Sequence, residues 1–280
     1  MPRCLTTSYA PGAFLCLAIL LAANPTLAQA PAEGRGCERQ EVPARQRVDA
    51  CSALIKSGRE KGEKLAEVFN NRGTAYRQVG ESDHAIADYS QAIKINGRFA
   101  AAFNNRGVAY DSKGDFDRAI QDYDQAIKLN ASAESYFNRG NAHLAKARYE
   151  QAIDDYGAAL KLRADFAAAL DNRCWARALL GTLKQALADC NEALRLTPHN
   201  PASLSSRGFV FFKMSQFDAA VSDYDMALRQ DPQLPFPLYG RGLAKLKNQD
   251  ASGAADIAAA KLVQSDIADE FRRYGANESY

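Results

Sequence analysis

A tripeptide of the form Asn-Arg-Gly recurs six times along this chain of 280 residues, at a nearly constant interval. Successive motif arginines are 34, 33, 34, 34 and 34 residues apart. A period near 34 residues predicts a stack of similar units, each packing mainly against its neighbours and together presenting a long surface. The six motifs are Asn71-Arg72-Gly73, Asn105-Arg106-Gly107, Asn138-Arg139-Gly140, Asn172-Arg173-Cys174, Ser206-Arg207-Gly208 and Gly240-Arg241-Gly242.

An aspartate lies about 16 residues after each motif arginine, in most copies directly before a tyrosine. The planar guanidinium of arginine binds a carboxylate through two parallel hydrogen bonds. We therefore expect each motif arginine to form an ion pair with the aspartate that follows it; the alternative is a row of arginines that binds anions. The six aspartates are Asp88, Asp122, Asp155, Asp189, Asp223 and Asp256.

Each period has the pattern of two antiparallel helices joined by a short turn. Apolar residues between Ala66 and Gly80 recur at helical spacing, and Gly80 is suited to end this first helix. A second helical pattern runs from His84 to Ile95. In later periods, Thr182-Leu183-Lys184-Gln185 has the form of a capping box, and Asn200-Pro201 has the form of a helix start.

At these positions the chain resembles a tetratricopeptide repeat protein of the bacterial Asn-Arg-Gly type. The resemblance covers residues 66–264 and implies an all-α fold, a right-handed α-solenoid of six helix pairs with capping helices at both ends. It also implies that the first helices line a concave peptide-binding surface. The small residues and prolines that carry it are Gly73, Gly107, Gly140, Gly208, Gly242, Ala85, Ala119, Ala152, Ala186, Ala220, Pro198 and Pro232.

The chain is expected to divide into four segments. Residues 1–28 form a signal peptide, 29–65 an N-terminal capping helix and a charged linker, 66–264 the six units, and 265–280 a C-terminal capping helix and tail. Caps are needed because the terminal units of an array otherwise expose apolar faces.

The first 28 residues have the layout of a secretory signal peptide. Arg3 is the only charge before Glu33, and an apolar run follows from Ala13 to Ala23. The run is short for a membrane span, so we expect no stable membrane anchor and place cleavage after Ala28. The residue before Cys16 is leucine, which disfavours a lipoprotein signal. The protein is therefore expected to be exported, either periplasmic or secreted.

The mature chain would keep four cysteines, an even number that suggests disulfides in an exported protein. Cys174 replaces the motif glycine, and Cys190 replaces the tyrosine that follows the aspartate in other repeats. If glycine and tyrosine face each other, Cys174 pairs with Cys190, and by exclusion Cys37 pairs with Cys51. The alternative is that the four remain buried free thiols.

Signals for catalysis are poor. The three histidines lie in three different repeats and belong to no metal-binding motif, and no phosphate-binding glycine loop or nucleophile elbow is present. We expect no enzyme activity, no catalytic residues, no metal and no cofactor. The net charge is only +2, with interleaved signs, which gives no reason to expect nucleic acid as a partner.

The expected recognition surface lies on the first helices, beside the residues that pack between repeats. Its amino end is polar, and in tetratricopeptide relatives the asparagines of the motif are implied to bind a peptide backbone. Its carboxyl end is aromatic, which favours binding hot spots; the alternative is burial of these rings by the neighbouring repeat or the final helix. The expected partner-binding residues are Asn71, Asn105, Asn138, Asn172, Trp175, Phe209, Phe212, Phe236 and Tyr239.

The pattern as a whole predicts a noncatalytic scaffold of the cell envelope that binds protein or peptide partners. The alternative is a structural or assembly factor of the cell envelope that has no peptide groove. Accessibility of the aromatic residues at the carboxyl end separates these two interpretations. The sequence leaves the partner, the pathway and the oligomeric state open.

Overall fold

A computed structural model describes residues 36–276, and in this part of the chain all regular structure is helical. The expected signal peptide and the last four residues lie outside the described range. No described helix is both long enough and apolar enough to cross a membrane. The helices are α1 Ala44–Ser57, α2 Gly62–Gln78, α3 Ser82–Ile95, α4 Ala100–Ser112, α5 Phe116–Leu129, α6 Ala133–Ala145, α7 Tyr149–Leu162, α8 Ala167–Leu180, α9 Leu183–Leu196, α10 Pro201–Lys213, α11 Phe217–Leu228, α12 Pro235–Lys247, α13 Gly253–Val263 and α14 Ile267–Arg273.

The helices from α2 to α13 form six antiparallel pairs, so the predicted all-α repeat solenoid is confirmed. Every Asn-Arg-Gly motif lies on an even-numbered helix, and every aspartate that follows lies on the next odd-numbered helix. Successive even-numbered helices from α2 to α12 contact each other, whereas within residues 36–276 successive odd-numbered helices do not. The even-numbered helices therefore form the inner, concave layer.

The turn inside each pair contains one residue in the left-handed conformation. Gly80, Gly114 and Gly181 have φ values of 81°, 75° and 89°. Glycine adopts this conformation without the steric cost that a Cβ imposes. The same position in the other three pairs is filled by residues with side chains, which have φ values of 54°, 59° and 62°: Ala147, Ser215 and Gln249.

The motif glycine is required by a tyrosine on the partner helix. Tyr123 is fully buried and lies against α4 at Gly107. A Cβ added to Gly107 would come within 2.7 Å of Tyr123 Cε1 and 2.9 Å of Cδ1, closer than carbon atoms pack. The same contact recurs between Gly73 and Tyr89, Gly140 and Tyr156, and Gly208 and Tyr224.

Two disulfides occupy this glycine–tyrosine position. Cys174 on α8 is bonded to Cys190 on α9, and Cys37 is bonded to Cys51 on α1, which are the two pairings expected from the sequence. Cys51 precedes Ser52 as Tyr89 precedes Ser90 in the following unit. The amino-terminal disulfide therefore has the same place in a unit that keeps only its second helix.

The predicted ion pairs form in all six units, and each joins the two helices of one unit. In the second unit, Arg106 donates from Nε to Asp122 Oδ2 and from Nη2 to Oδ1, both at 2.8 Å. The aspartates of the first five pairs are nearly buried, so the structural interpretation of the motif is correct. The pairs are Arg72–Asp88, Arg106–Asp122, Arg139–Asp155, Arg173–Asp189, Arg207–Asp223 and Arg241–Asp256.

Most of these arginines also bind the second helix of the preceding unit through Nη1. Arg72 donates to Ser52 on α1, and Arg106 donates to Ser90 on α3, each at 3.0 Å. The contact to Ser52 shows that α1 lies where the second helix of a preceding unit would lie. Because α1 ends at Ser57 and α2 already begins at Gly62, the linker between them is residues 58–61.

Candidate functional site: the concave surface

Side chains of the asparagine motif connect neighbouring first helices on the inner face. Asn105 Nδ2 donates to Asn70 Oδ1 at 2.9 Å, and Asn138 Nδ2 donates to Asn104 Oδ1 at 3.2 Å. Asn172 is also part of this row, although its Nδ2 donates to Asn141 Oδ1, at 2.7 Å. Phe137 replaces the asparagine that α6 would otherwise contribute, which explains this change of acceptor.

Asn71 is the first member of the row and differs from the rest. The unit before it has no first helix, so no inner-layer neighbour lies where Asn70 lies for Asn105. Among the described residues the side chain of Asn71 has no hydrogen-bond partner, and it is half-buried. We call Asn71, Asn105, Asn138 and Asn172 the amide row.

Partly buried carboxylates lie next to the row. Asp171 takes the position of Asn70 and Asn104 in the fourth unit, close to Ser203 and Ser206 of the next inner helix. Burial raises the pKa of Asp171, and its buried Oδ1 has no hydrogen-bond partner among the described residues. Burial likewise raises the pKa of Asp111 on α4. The amino-terminal half of the inner face is therefore lined by amides, hydroxyls and partly desolvated carboxylates.

The carboxyl-terminal half differs from the expected exposed stripe. Phe209, Phe212 and Tyr239 are buried, with exposed fractions of 0%, 8% and 1%. The expectation that these three side chains form an open binding surface is wrong. Trp175 and Phe236 are half-buried.

For Phe209 and Tyr239 the physical reason is the position of α14, which packs onto the inner layer, whereas Phe212 packs against Phe217 of α11. Phe271 lies 4.5 Å from Phe236 and 4.8 Å from Tyr239, measured between ring centroids. Tyr274 lies 5.1 Å from Trp175 in an edge-to-face contact. The final helix therefore reaches back to the fourth unit. We call the surface of Trp175, Phe209, Phe236 and Tyr239 that it covers the aromatic channel; this covering was the alternative left open by the sequence.

Two cavities open on either side of Trp175. The larger, of about 610 Å³, lies toward the amino ends of α10 and α12 and is lined by Phe236, Pro201, Pro235 and Ser206 among others. The smaller, of about 470 Å³, lies toward α6 and is lined by Leu144, Tyr149, Arg273 and Tyr274 among others. Trp175 thus stands at the boundary between the polar half of the inner face and the filled aromatic channel.

Sequence reasoning missed one residue of this region, Lys213 on α10. Its Nζ donates to Ala178 O at 2.8 Å and to Tyr274 O at 3.3 Å, which connects α14 to two inner helices. Burial lowers the pKa of Lys213, and no carboxylate of the described residues pairs with it. A single lysine at the end of a helix carries no periodic signal, so the sequence could not single it out.

The helix pairs, the inner layer and the interhelical ion pairs define an all-α repeat solenoid. Comparison of the sequence with family models agrees, because the tetratricopeptide repeat model matches residues 100–132 and 133–166, and a second TPR repeat model matches residues 73–114. A search of curated proteins found no match.

Several solved structures share the fold. YrrB, described as a TPR protein with an unusual peptide-binding site, is 18% identical, with a TM-score of 0.59 over 69% of this chain and 98% of its own. PilW, described as a widely conserved type IV pilus biogenesis factor, is 17% identical, with a TM-score of 0.65 over 74% and 97%. PilF of Pseudomonas aeruginosa is 18% identical, with a TM-score of 0.61 over 75% and 95%. At these identities the likeness describes the fold alone.

Proposed function

We propose that this protein is a noncatalytic scaffold, exported to the cell envelope, that binds an extended segment of a protein partner along the amino-terminal half of its concave surface. The observation that carries the proposal is the amide row, which begins with the unpartnered side chain of Asn71. An amide offers both a donor and an acceptor, which is what an extended peptide backbone requires.

The boundary at Trp175 adds an anchor to this surface. A segment that follows the amide row toward α8 reaches Trp175 and the 470 Å³ cavity beside Leu144. Tryptophan in such a position contributes strongly to binding because it offers a large rigid surface. A partner with an apolar side chain at one end of a polar extended segment fits this arrangement. YrrB is one neighbour whose description includes peptide binding.

Export is supported by the signal-like sequence and by two disulfides, which persist in oxidising compartments. Fractionation and amino-terminal sequencing test it directly. The mature protein is expected in the periplasm or the medium, starting at Gln29. A chain that keeps Met1 and remains in the cytoplasm contradicts export.

The binding surface can be tested by site-specific photocrosslinking. A photoreactive amino acid at position 71 or 77 probes the inner face, where Asn71 has no partner and the exposed Arg77 lies near the hydroxyl of Tyr89. The matched controls are the exposed Lys94 and Lys128 of the outer helices α3 and α5. We expect one set of partner bands from the inner positions and none from the outer positions. Equal labelling from both faces would refute the assignment of the surface.

The covered aromatic channel favours the second candidate function, a structural or assembly factor of the envelope without a peptide groove. One neighbour, PilW, is described as a widely conserved type IV pilus biogenesis factor. On this interpretation the outer helices would carry the crosslinks, and the inner positions would give none. The same experiment therefore separates the two functions.

A further inference from the structure

The aromatic channel is an apolar surface that happens to be occupied by a segment of its own chain. The occupant, α14, has only seven residues and follows α13 after a three-residue connector, 264–266. It contributes Ile267, Phe271 and Tyr274, which are spaced as i, i+4 and i+7 and lie on one face of a helix. Ile267 and Phe271 are fully buried.

The polar contacts of this segment are largely internal. Gln264 Nε2 donates to Glu270 Oε2 at 2.8 Å, and the Tyr274 hydroxyl donates to Glu270 Oε1 at 3.1 Å. One polar link from α14 to the inner layer is the bond from Lys213 Nζ to Tyr274 O. Apolar contact therefore supplies most of the attraction, and a different helix with the same apolar spacing could supply it equally well.

Lys213 is the part of the channel that α14 leaves incompletely satisfied. Its ammonium contacts two carbonyl oxygens and lies 5.6 Å from the Phe209 ring centroid, but no described carboxylate pairs with it. A partly buried cation gains more from a carboxylate than from a carbonyl oxygen. A Cβ built on Gly275 would lie 4.0 Å from Lys213 Nζ, so an acidic side chain at that place in an occupant would reach the ammonium.

We propose that the aromatic channel is a second interaction surface, which binds an amphipathic helix of a partner protein. The partner helix has apolar side chains at i, i+4 and i+7 and a carboxylate beside Lys213. In the free protein, α14 occupies the channel and competes with the partner helix. The partner helix displaces α14 and packs on Trp175, Phe209, Phe236 and Tyr239. This surface differs from the amide row, and the two share Trp175 at their boundary.

Peptide binding tests the competition. The probe is a labelled peptide of residues 264–276, added to the full chain and to its F271A variant, with R272A as the matched control because Arg272 is exposed. Trp175 is the only tryptophan, so its fluorescence reports release of Tyr274. We expect F271A to shift the emission to longer wavelength and to bind the peptide about tenfold more tightly than the wild type or R272A, because the competitor is weakened. Equal affinity for all three proteins, or no binding to a helical F271A, would overturn the proposal.

The carboxylate is tested with two further peptides, G275D and G275N, which are nearly isosteric and both tolerate a positive φ. The aspartate peptide is expected to bind F271A about tenfold more tightly than the asparagine peptide, and the K213M substitution in F271A should abolish this difference. Equal affinities before the K213M change would refute the acidic specificity.

Hydrogen exchange on the unmodified chain keeps the proposal testable if F271A loses its fold. The amides of Tyr274 and Ala276 should exchange much faster than those of α12, because α14 opens while the solenoid stays folded. Equal protection of α14 and α12 would show that α14 is a permanent cap.

Discussion

Replacement of Gly107 by alanine tests whether the motif glycine is fixed by the tyrosine behind it. The new Cβ would meet three ring atoms of Tyr123 at 2.7, 2.9 and 3.1 Å, and the ring is fully buried, so it has no space to move into. Overpacking of this kind costs about 3 kcal/mol, and the better helix propensity of alanine returns about 1 kcal/mol. We expect a net loss of about 2 kcal/mol in the free energy of unfolding.

The matched control is Gly157, an interior residue of α7. A Cβ there would lie 3.7 Å from Arg173 Nη1, which is ordinary contact, so G157A should stabilise the protein by about 1 kcal/mol. The assay is urea unfolding followed by far-UV circular dichroism, with the slope compared as well as the midpoint because repeat arrays can unfold in parts. A G107A midpoint equal to or above that of the wild type would refute the reasoning.

A double-mutant cycle makes the cause specific. In a Y123L background the ring is absent, so G107A should lose most of its cost, and the coupling energy between the two sites should be about 1–3 kcal/mol. If the effects of G107A and Y123L on the free energy of unfolding are additive, the destabilisation by G107A does not come from contact with the Tyr123 ring.

Three further predictions concern single side chains. The Tyr123 hydroxyl is buried without a partner among the described residues, so Y123F should be neutral or stabilising. The Tyr156 hydroxyl donates to Asn141 Oδ1 at 2.8 Å, so Y156F should lower the free energy of unfolding by about 1 kcal/mol. Equal melting temperatures of the two variants would contradict this difference. Ala147 has a φ of 54°, so A147G should stabilise the protein by about 0.5–1 kcal/mol. The control A188G, at an exposed position in the interior of α9, should destabilise it by about 1 kcal/mol, and urea midpoints that move in the same direction would refute the assignment to backbone conformation. Burial lowers the pKa of His143 below its ordinary 6.5, and the nearby Asp155 partly opposes this change. Below about pH 6.5 the unfolded chain therefore binds more protons than the folded chain, and the free energy of unfolding should fall. Urea midpoints measured at several pH values should show this loss in the wild type and not in H143Q.

The periodic parts of the molecule could be predicted from the sequence because the same contact is repeated. Six copies of the arginine–aspartate spacing made the ion pairs predictable, and the replacement of a glycine and a tyrosine by Cys174 and Cys190 predicted their disulfide. Single signals were less reliable. Asn200 caps α10 as expected, since its Oδ1 accepts from Ser203 N at 3.0 Å, but Thr182 caps nothing and donates to Arg177 O instead.

The aromatic half of the candidate site could not be predicted in the same way. Helical spacing places Phe209 and Tyr239 on the inner face, and they do lie there. Whether that face is open depends on where α14 packs. The sequence of α14 occurs only once, so no alignment with other repeats predicts the direction in which this helix runs. The apolar spacing of Ile267, Phe271 and Tyr274 indicates a helix, yet it suits stacking on α13 as well as folding back into the channel.

The two disulfides divide the solenoid into regions that should open independently. Each disulfide joins two segments of the same unit and therefore keeps those two segments together when the unit unfolds. Neither disulfide crosses the interface between neighbouring units. A linear array opens from its ends, unit by unit, wherever the next interface is weakest. An opening that starts at α14 can pass through the sixth and fifth units and then meets the cross-linked α8 and α9. The first three units, from α2 to α7, carry Asn71, Asn105 and Asn138 and lie between two such barriers, so under oxidising conditions they should survive as an intact block while the carboxyl end is lost.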